Sequence, residues 1–138
     1  MEADTIIFDS SVLVSFFNDK DSQHKDALRY SSEISKMEIT PDFILQETAT
    51  VLRNKKNNET SIFFVNLFTY NSSVKIMSFF DAHQVFFSEE FIKEENKNLS
   101  YIDASLLALH KTGKFKVITF DKNLKTLIDK FNKGRLKK

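Results

Sequence analysis

The chain has 138 residues, 41% of them hydrophobic and 28% charged, which implies one domain organised around one hydrophobic core. The absence of cysteine excludes a disulfide framework and thiolate metal sites, and 15 Phe with no Trp make Phe the expected core filler. The net charge of +1 is uneven: from Lys111 onward ten Lys or Arg stand against two Asp, a local +8 that leaves −7 on the other 110 residues and suggests a polyanionic partner.

The first residues lack the basic start of a signal peptide, and no apolar run approaches the roughly 20 residues needed to span a bilayer. A cytoplasmic protein with no membrane contact is expected. Gly and Pro number two and one, so no flexible linker divides the chain. Residues 1–132 are expected to form the domain and 133–138 a basic tail.

Thr5-Ile6-Ile7-Phe8 is a short apolar, β-branched run ending at Asp9, the pattern of a buried parallel strand. Residues 11–17 read as a helix and 22–37 as a second, more polar one. Residues 38–40 are a short strand candidate. Thr40-Pro41-Asp42 then starts a helix, with Thr as N-cap, Pro at the first helical position and an acid in the first turn. That helix runs to about Lys55, and another covers 60–70. Residues 74–79 form a strand. A helix starts at Asp81, read as a plain N-cap, and ends near Asn98. Residues 100–112 are helical and stop at Gly113. A strand lies within 115–120 and ends at Asp121, and 123–132 form the last helix. Strands alternating with helices predict an α/β domain: a mainly parallel central sheet flanked by helices on both faces, an α/β/α sandwich. Ligands of such sheets bind beyond the carboxyl ends of the strands, where Asp9 and Asp121 fall.

Two further acids share a face with apolar residues. Glu47 lies three residues after Ile44 and four before Val51, and Asp103 lies among Leu99, Leu106 and Leu107 at helical spacing. An unpaired carboxylate on such a face is costly, so it calls for a cation. Each acid also has a plainer account. Asp9 and Asp121 can cap the helices that follow them, Asp103 can complete a Ser100-x-x-Asp103 capping box, and Glu47 can reach past the apolar stripe to water. If all four converge, their repulsion demands a cation or raised pKa values. With no Cys and few His, the ion is a hard, oxygen-ligated one, Mg²⁺ or Mn²⁺.

Four blocks carry a family resemblance over nearly the whole chain: Ile6-Ile7-Phe8-Asp9-Ser10-Ser11-Val12-Leu13-Val14, Pro41-Asp42-Phe43-Ile44-Leu45-Gln46-Glu47, Ser100-Tyr101-Ile102-Asp103-Ala104-Ser105-Leu106-Leu107-Ala108, and Val117-Ile118-Thr119-Phe120-Asp121. In this order and spacing they resemble a PIN domain, especially toxins of VapC type. The resemblance implies that Asp9, Glu47, Asp103 and Asp121 form a metal site, with Asp9 and Asp103 the more direct ligands and Ser10 or Thr119 polar helpers. It also implies hydrolysis of RNA with water as nucleophile, an antitoxin partner and a homodimer. The chain departs from the pattern at Leu124, where many relatives carry an aromatic residue, and in its polar end, where a final strand often follows.

Arg53, Lys55 and Lys122, along with Lys56, Lys111 and Lys114, are candidates to grip the RNA backbone, although each alone also reads as ordinary solvated surface. His24 reads as a helix-packing residue. The alternative function is a catalytically silent PIN-like module for RNA binding or protein interaction. A phosphatase using Asp9 as nucleophile lacks the second acid two residues on, where Ser11 stands, and a receiver domain lacks its acidic pair. The helix containing Ile62-Phe63-Phe64-Val65 is apolar nearly all round, so it is either deeply buried or partly an interface.

Overall fold

A computed structural model describes residues 5–70, 73–79 and 83–136. Strand β1 (Thr5–Phe8) pairs in parallel with β4 (Phe115–Ile118), with Phe8 opposite Ile118. Strand β2 (Ile39–Pro41) pairs in parallel with β3 (Lys75–Met77). The expected parallel sheet is therefore present as two two-stranded pairs, flanked by helices in an α/β/α arrangement. Parallel pairing needs crossovers, and helices supply them: α1 (Ser10–Phe17), α2 (His24–Leu28), α3 (Ser31–Ser35), α4 (Asp42–Lys55), α5 (Asn58–Tyr70), α6 (His83–Phe91) and α7 (Tyr101–Lys111); α8 (Lys122–Leu136) follows the last strand.

The core is aliphatic and phenylalanine-rich. Phe8, Phe64 and Phe87 are the largest fully buried side chains, joined by Ile7, Leu13, Ile44, Leu52, Leu106 and Leu124. Phe17 sits edge-on to Phe64 with ring centroids 5.2 Å apart. The apolar helix α5 takes both expected forms. Phe64 and Phe68 face inward, while Ile62, Phe63, Val65, Leu67 and Tyr70 are exposed.

Several elements differ from expectation. The single helix expected over 22–37 is two short ones, α2 and α3. At the break Ser31 Oγ donates to the Leu28 carbonyl, an acceptor that a continuous helix needs. Thr40 does not cap α4. It lies inside β2, Pro41 takes the N-cap position with extended backbone (φ −66°, ψ 144°), and Asp42 Oδ2 instead accepts from the Phe79 N–H at 3.0 Å. The long helix expected after Asp81 ends at Phe91, and a separate 3-10 turn covers Glu94–Asn96. Asp81 itself lies outside the described residues. Helix α8 continues to Leu136, so residues 133–136, expected as a tail, form its last turn. No strand follows it among the described residues. Gly113, as expected, ends the α7 segment in a left-handed conformation with φ 80°.

Candidate active site

The pairing of β1 with β4 brings Asp9 and Asp121 to one edge of the fold. The Asp9 N–H donates to the Ile118 carbonyl at 2.9 Å, extending the ladder one step beyond the strands. Asp9 is 3% exposed and caps α1, accepting from the Ser10 N–H at 2.8 Å. Its Oδ2 accepts from Ser11 Oγ at 2.9 Å and from Thr119 Oγ1 at 2.7 Å. Thr119 Oγ1 in turn accepts from the Asp121 N–H at 3.0 Å, and Asp121 Oδ1 accepts from the Leu124 N–H at 2.9 Å, capping α8. Helix α4 carries Glu47 to the same edge, where its Oε1 accepts from Ser10 Oγ at 2.5 Å. Three hydroxyls thus tie two strand ends and a helix together.

Asp103 completes the set from the first turn of α7, where Ser100 Oγ accepts from its N–H at 3.1 Å. Burial, then the negative charges of Asp9 and Asp121, with a smaller push from Glu47, raise the Asp103 carboxyl from 3.8 to about 7; a hydrogen bond with Ser100 opposes them. All three other acids therefore act on Asp103 electrostatically. None of the four has an ion pair among the described residues. Three of them also sit at helix N-termini, whose exposed N–H groups favour negative charge. Capping and electrostatic coupling are therefore not rival accounts of Asp9, Asp103 and Asp121. The same residues do both.

The residues suit a hard divalent cation in type, being all oxygen donors, and the charge gathered on Asp103 is what such an ion relieves. Among the described residues, however, no three Asp, Glu or His side chains stand close enough together to form a ready-made cage. Hydroxyl hydrogen bonds from Ser10, Ser11 and Thr119 hold the carboxylate oxygens of Asp9 and Glu47 instead.

Ser10 and Thr119, the expected helpers, both touch the acids. Ser11 was not expected among the helpers. Its Oγ donates to Asp9 and accepts from the Phe120 N–H at 3.0 Å, and the only signal for it was a hydroxyl two positions after a strand-end Asp. Lys122 follows Asp121 at the head of α8 and is exposed. Arg53 and Lys55 are exposed in the last turn of α4, about 9 and 12 Å along the axis from Glu47 at 1.5 Å per residue. Lys114 is also exposed. Two proposed backbone contacts are already engaged: Lys56 pairs with Asp19 at 3.1 Å, and Lys111 with Glu90 at 2.9 Å. His24 packs α2 against α1 through Nδ1 and the Ser15 carbonyl, 2.8 Å apart.

The PIN domain family model matches residues 6–129. No curated protein matches the sequence significantly. Among solved structures, the chain is similar to VapC20 of Mycobacterium tuberculosis, described as a sarcin–ricin loop cleaving toxin: TM-score 0.74 at 18% identity, covering 88% of this chain and 94% of that one. At that identity the likeness shows the fold alone, but the family match spans all four acids and nearly the whole described chain, and the chain belongs to the PIN domain family.

Proposed function

We propose that the chain is a metal-dependent endoribonuclease whose site is Asp9, Glu47, Asp103 and Asp121. The observation that carries this reading is the convergence of negative charge on Asp103 with no cation paired to any of the four acids. Purely structural acids are paired or solvated; clustering them without a partner costs stability and is a mark of function. Asp9 and Asp103 would hold Mg²⁺ or Mn²⁺ most directly, with Glu47 and Asp121 completing the oxygen set. A bound divalent ion lowers the pKa of its water and offsets charge developing on the phosphate. Ser10 and Thr119 fix the orientation of Glu47 and Asp9. Glu47 or Asp121, whichever is less engaged by the ion, orients the attacking water. Lys122, exposed beside Asp121, offsets the repulsion between an acidic pocket and an RNA phosphate.

Purified protein should cleave RNA with Mg²⁺ or Mn²⁺ and not with EDTA. Asp9→Asn and Asp103→Asn should each lower that cleavage by at least about 100-fold, the scale of removing one charge-stabilising group from a site. Activity should rise with pH through about 7, because a protonated Asp103 cannot serve a metal ion. Full cleavage by both variants would sink the mechanism. A silent module, the alternative, shows neither cleavage nor thermal stabilisation by Mn²⁺.

The fold shared with VapC20 supports a toxin role with an antitoxin partner. The exposed Ile62, Phe63 and Leu67 on α5 support a homodimer or a protein partner. Hydrodynamic size checks the dimer: a monomer at high concentration would remove it.

A further inference from the structure

Asp9 is held more completely than its role as a helix cap needs. An ionised carboxylate offers about four acceptor positions, two on each oxygen. The cap uses one of them, the bond from the Ser10 N–H to Oδ1 at 2.8 Å. Ser11 Oγ at 2.9 Å and Thr119 Oγ1 at 2.7 Å fill both positions of Oδ2. One position remains, on Oδ1. Ser10 Oγ lies 3.5 Å from that oxygen, but a hydroxyl has a single hydrogen, and the shorter contact to Glu47 Oε1 at 2.5 Å takes it. Glu47 and Asp121 are held less, each accepting one hydrogen bond among the described residues, at Oε1 and at Oδ1.

The two hydroxyls on Oδ2 are themselves fixed. The Phe120 N–H donates to Ser11 Oγ at 3.0 Å, and the Asp121 N–H to Thr119 Oγ1 at 3.0 Å. Each backbone donor occupies a lone pair and leaves the hydroxyl hydrogen directed at Asp9. The two hydroxyl oxygens are 3.4 Å apart, too long to compete with contacts of 2.7 and 2.9 Å. Ser11 is half-buried in the first turn of α1 and reaches Phe120, 109 residues on, so one side chain ties the Asp9 carboxylate to the segment that carries Asp121.

Filling one oxygen decides how Asp9 can meet a cation. We propose that Ser11 is a positioning residue that, together with Thr119, restricts Asp9 to one-oxygen contact through Oδ1 and so selects Mg²⁺ or Mn²⁺ over Ca²⁺. The assignment rests on the cation-site reading of the four acids. Mg²⁺ requires near-ideal octahedral geometry at about 2.0–2.1 Å, and octahedral oxygen sites also suit Mn²⁺. Ca²⁺ takes roughly 6–8 oxygens at about 2.3–2.6 Å and can draw on both oxygens of one carboxylate. A carboxylate with a single oxygen to offer, held in one orientation, suits the first kind of shell and not the second. Removing the Ser11 hydroxyl frees a position on Oδ2 and unlocks rotation of the carboxylate. A large ion then gains an oxygen, while a small one loses a fixed ligand.

Mn²⁺ binding is read at pH 8 from the electron paramagnetic resonance of free Mn²⁺, and Ca²⁺ binding from its competition for the same site, with MnCl₂ and CaCl₂ in metal-free buffer. Wild type should prefer Mn²⁺. Ser11→Ala should weaken Mn²⁺ binding by roughly 10- to 100-fold, the scale of removing a hydrogen-bond partner of a metal-binding side chain, without a matching loss for Ca²⁺. The preference for Mn²⁺ should therefore fall at least about tenfold. Ser11→Thr keeps the hydroxyl and should keep the wild-type preference. Ser15→Ala removes a hydroxyl one turn along α1 that bonds the Ser11 carbonyl and Asp21 and none of the four acids, and should leave the preference unchanged. Thr119→Val frees the other position on Oδ2 and should lower the preference likewise, which decides the matter should Ser11→Ala fail to fold. Equal weakening of both ions in Ser11→Ala, the mark of a merely loosened site, overturns the proposal. An unchanged preference, a fall shared by Ser11→Thr, or a wild type that does not prefer Mn²⁺ overturns it too. In each of those cases Mn²⁺ binding by wild type leaves the acidic site standing and removes only the role of Ser11; a wild type that binds no Mn²⁺ refutes the site itself.

Discussion

Glu90 and Asp103 are both acids set into the helical shell, and their surroundings treat a negative charge in opposite ways. Glu90 is 4% exposed, yet Lys111 lies 2.9 Å and Lys93 3.3 Å from its carboxylate, and Asn96 donates to it. Burial pushes its carboxyl up, but hydrogen bonds from Lys111 and Asn96 and the charges of Lys111 and Lys93 outweigh burial and hold it below the usual range. Asp103 is less buried, faces three other acids and has no cation, so its carboxyl is pushed up to about 7. Glu90 holds α6, the 3-10 turn and α7 together. Asp103 adds repulsion that folding alone gives no reason to keep. An acid is informative about function when its environment fails to satisfy it.

The contrast can be broken first at Glu90. Glu90→Ala takes from Lys111 its near partner, leaving Glu95 at 3.9 Å, and takes from Asn96 its carboxylate acceptor, leaving the backbone carbonyl of residue 90. It should destabilise by about 2–3 kcal/mol in urea titration, below the roughly 3–5 kcal/mol of a fully buried pair because Lys111 keeps some solvent. A change under about 0.5 kcal/mol, the size of an ordinary surface substitution, would mean that Glu90 is not a structural node.

Asp103→Asn should act in the opposite direction on the metal-free protein. Because the folded-state pKa is raised above 3.8 to about 7, the folded state holds a proton that the unfolded state has released, and wild-type stability falls as pH rises between those values. The variant has no such charge. It should match wild type near pH 4 and exceed it above pH 7. A shift of this size corresponds to at most about 4 kcal/mol, and partial solvent exposure reduces the expected gain to about 1–2 kcal/mol. Glu90 carries the reverse slope: its contribution is present above its ordinary 4.5 and is lost as pH falls through its depressed value. Parallel pH profiles of the two variants relative to wild type would erase the distinction.

The smallest effect concerns the last turn of α8. Gly134→Ala removes a helical glycine where a Cβ meets open space, and should add about 0.5–1 kcal/mol in the same titration. A loss of stability there would show that the last turn, with Gly134 and Arg135, is not a settled helix.

The acids were legible in the sequence because they interrupt patterns that are otherwise regular. Asp9 and Asp121 end apolar runs, and Asp103 shares a face with Leu106 and Leu107. The plainer account of three of them was legible too, and the structure keeps it: they cap or sit at helix starts while facing one another. What the sequence hid depends on contacts between distant segments. Pro41 reads as a helix start, but pairing of β2 with β3 draws Ile39, Thr40 and Pro41 into a strand. The break between α2 and α3 turns on one serine hydroxyl, that of Ser31, competing for the Leu28 carbonyl. Lys111 looked like a free cation because its partner, Glu90, lies 21 residues away on another helix.

The central claim, that the four acids form a site for a hard divalent cation, is tested most directly by Mn²⁺ calorimetry at pH 8 on wild type and Asp103→Asn. Wild type should bind Mn²⁺ saturably, at least about tenfold more tightly than the variant, and should release protons on binding when its experiment is repeated near pH 7, where Asp103 is half protonated. Wild type that binds no Mn²⁺, or a variant that binds it equally well, would contradict it.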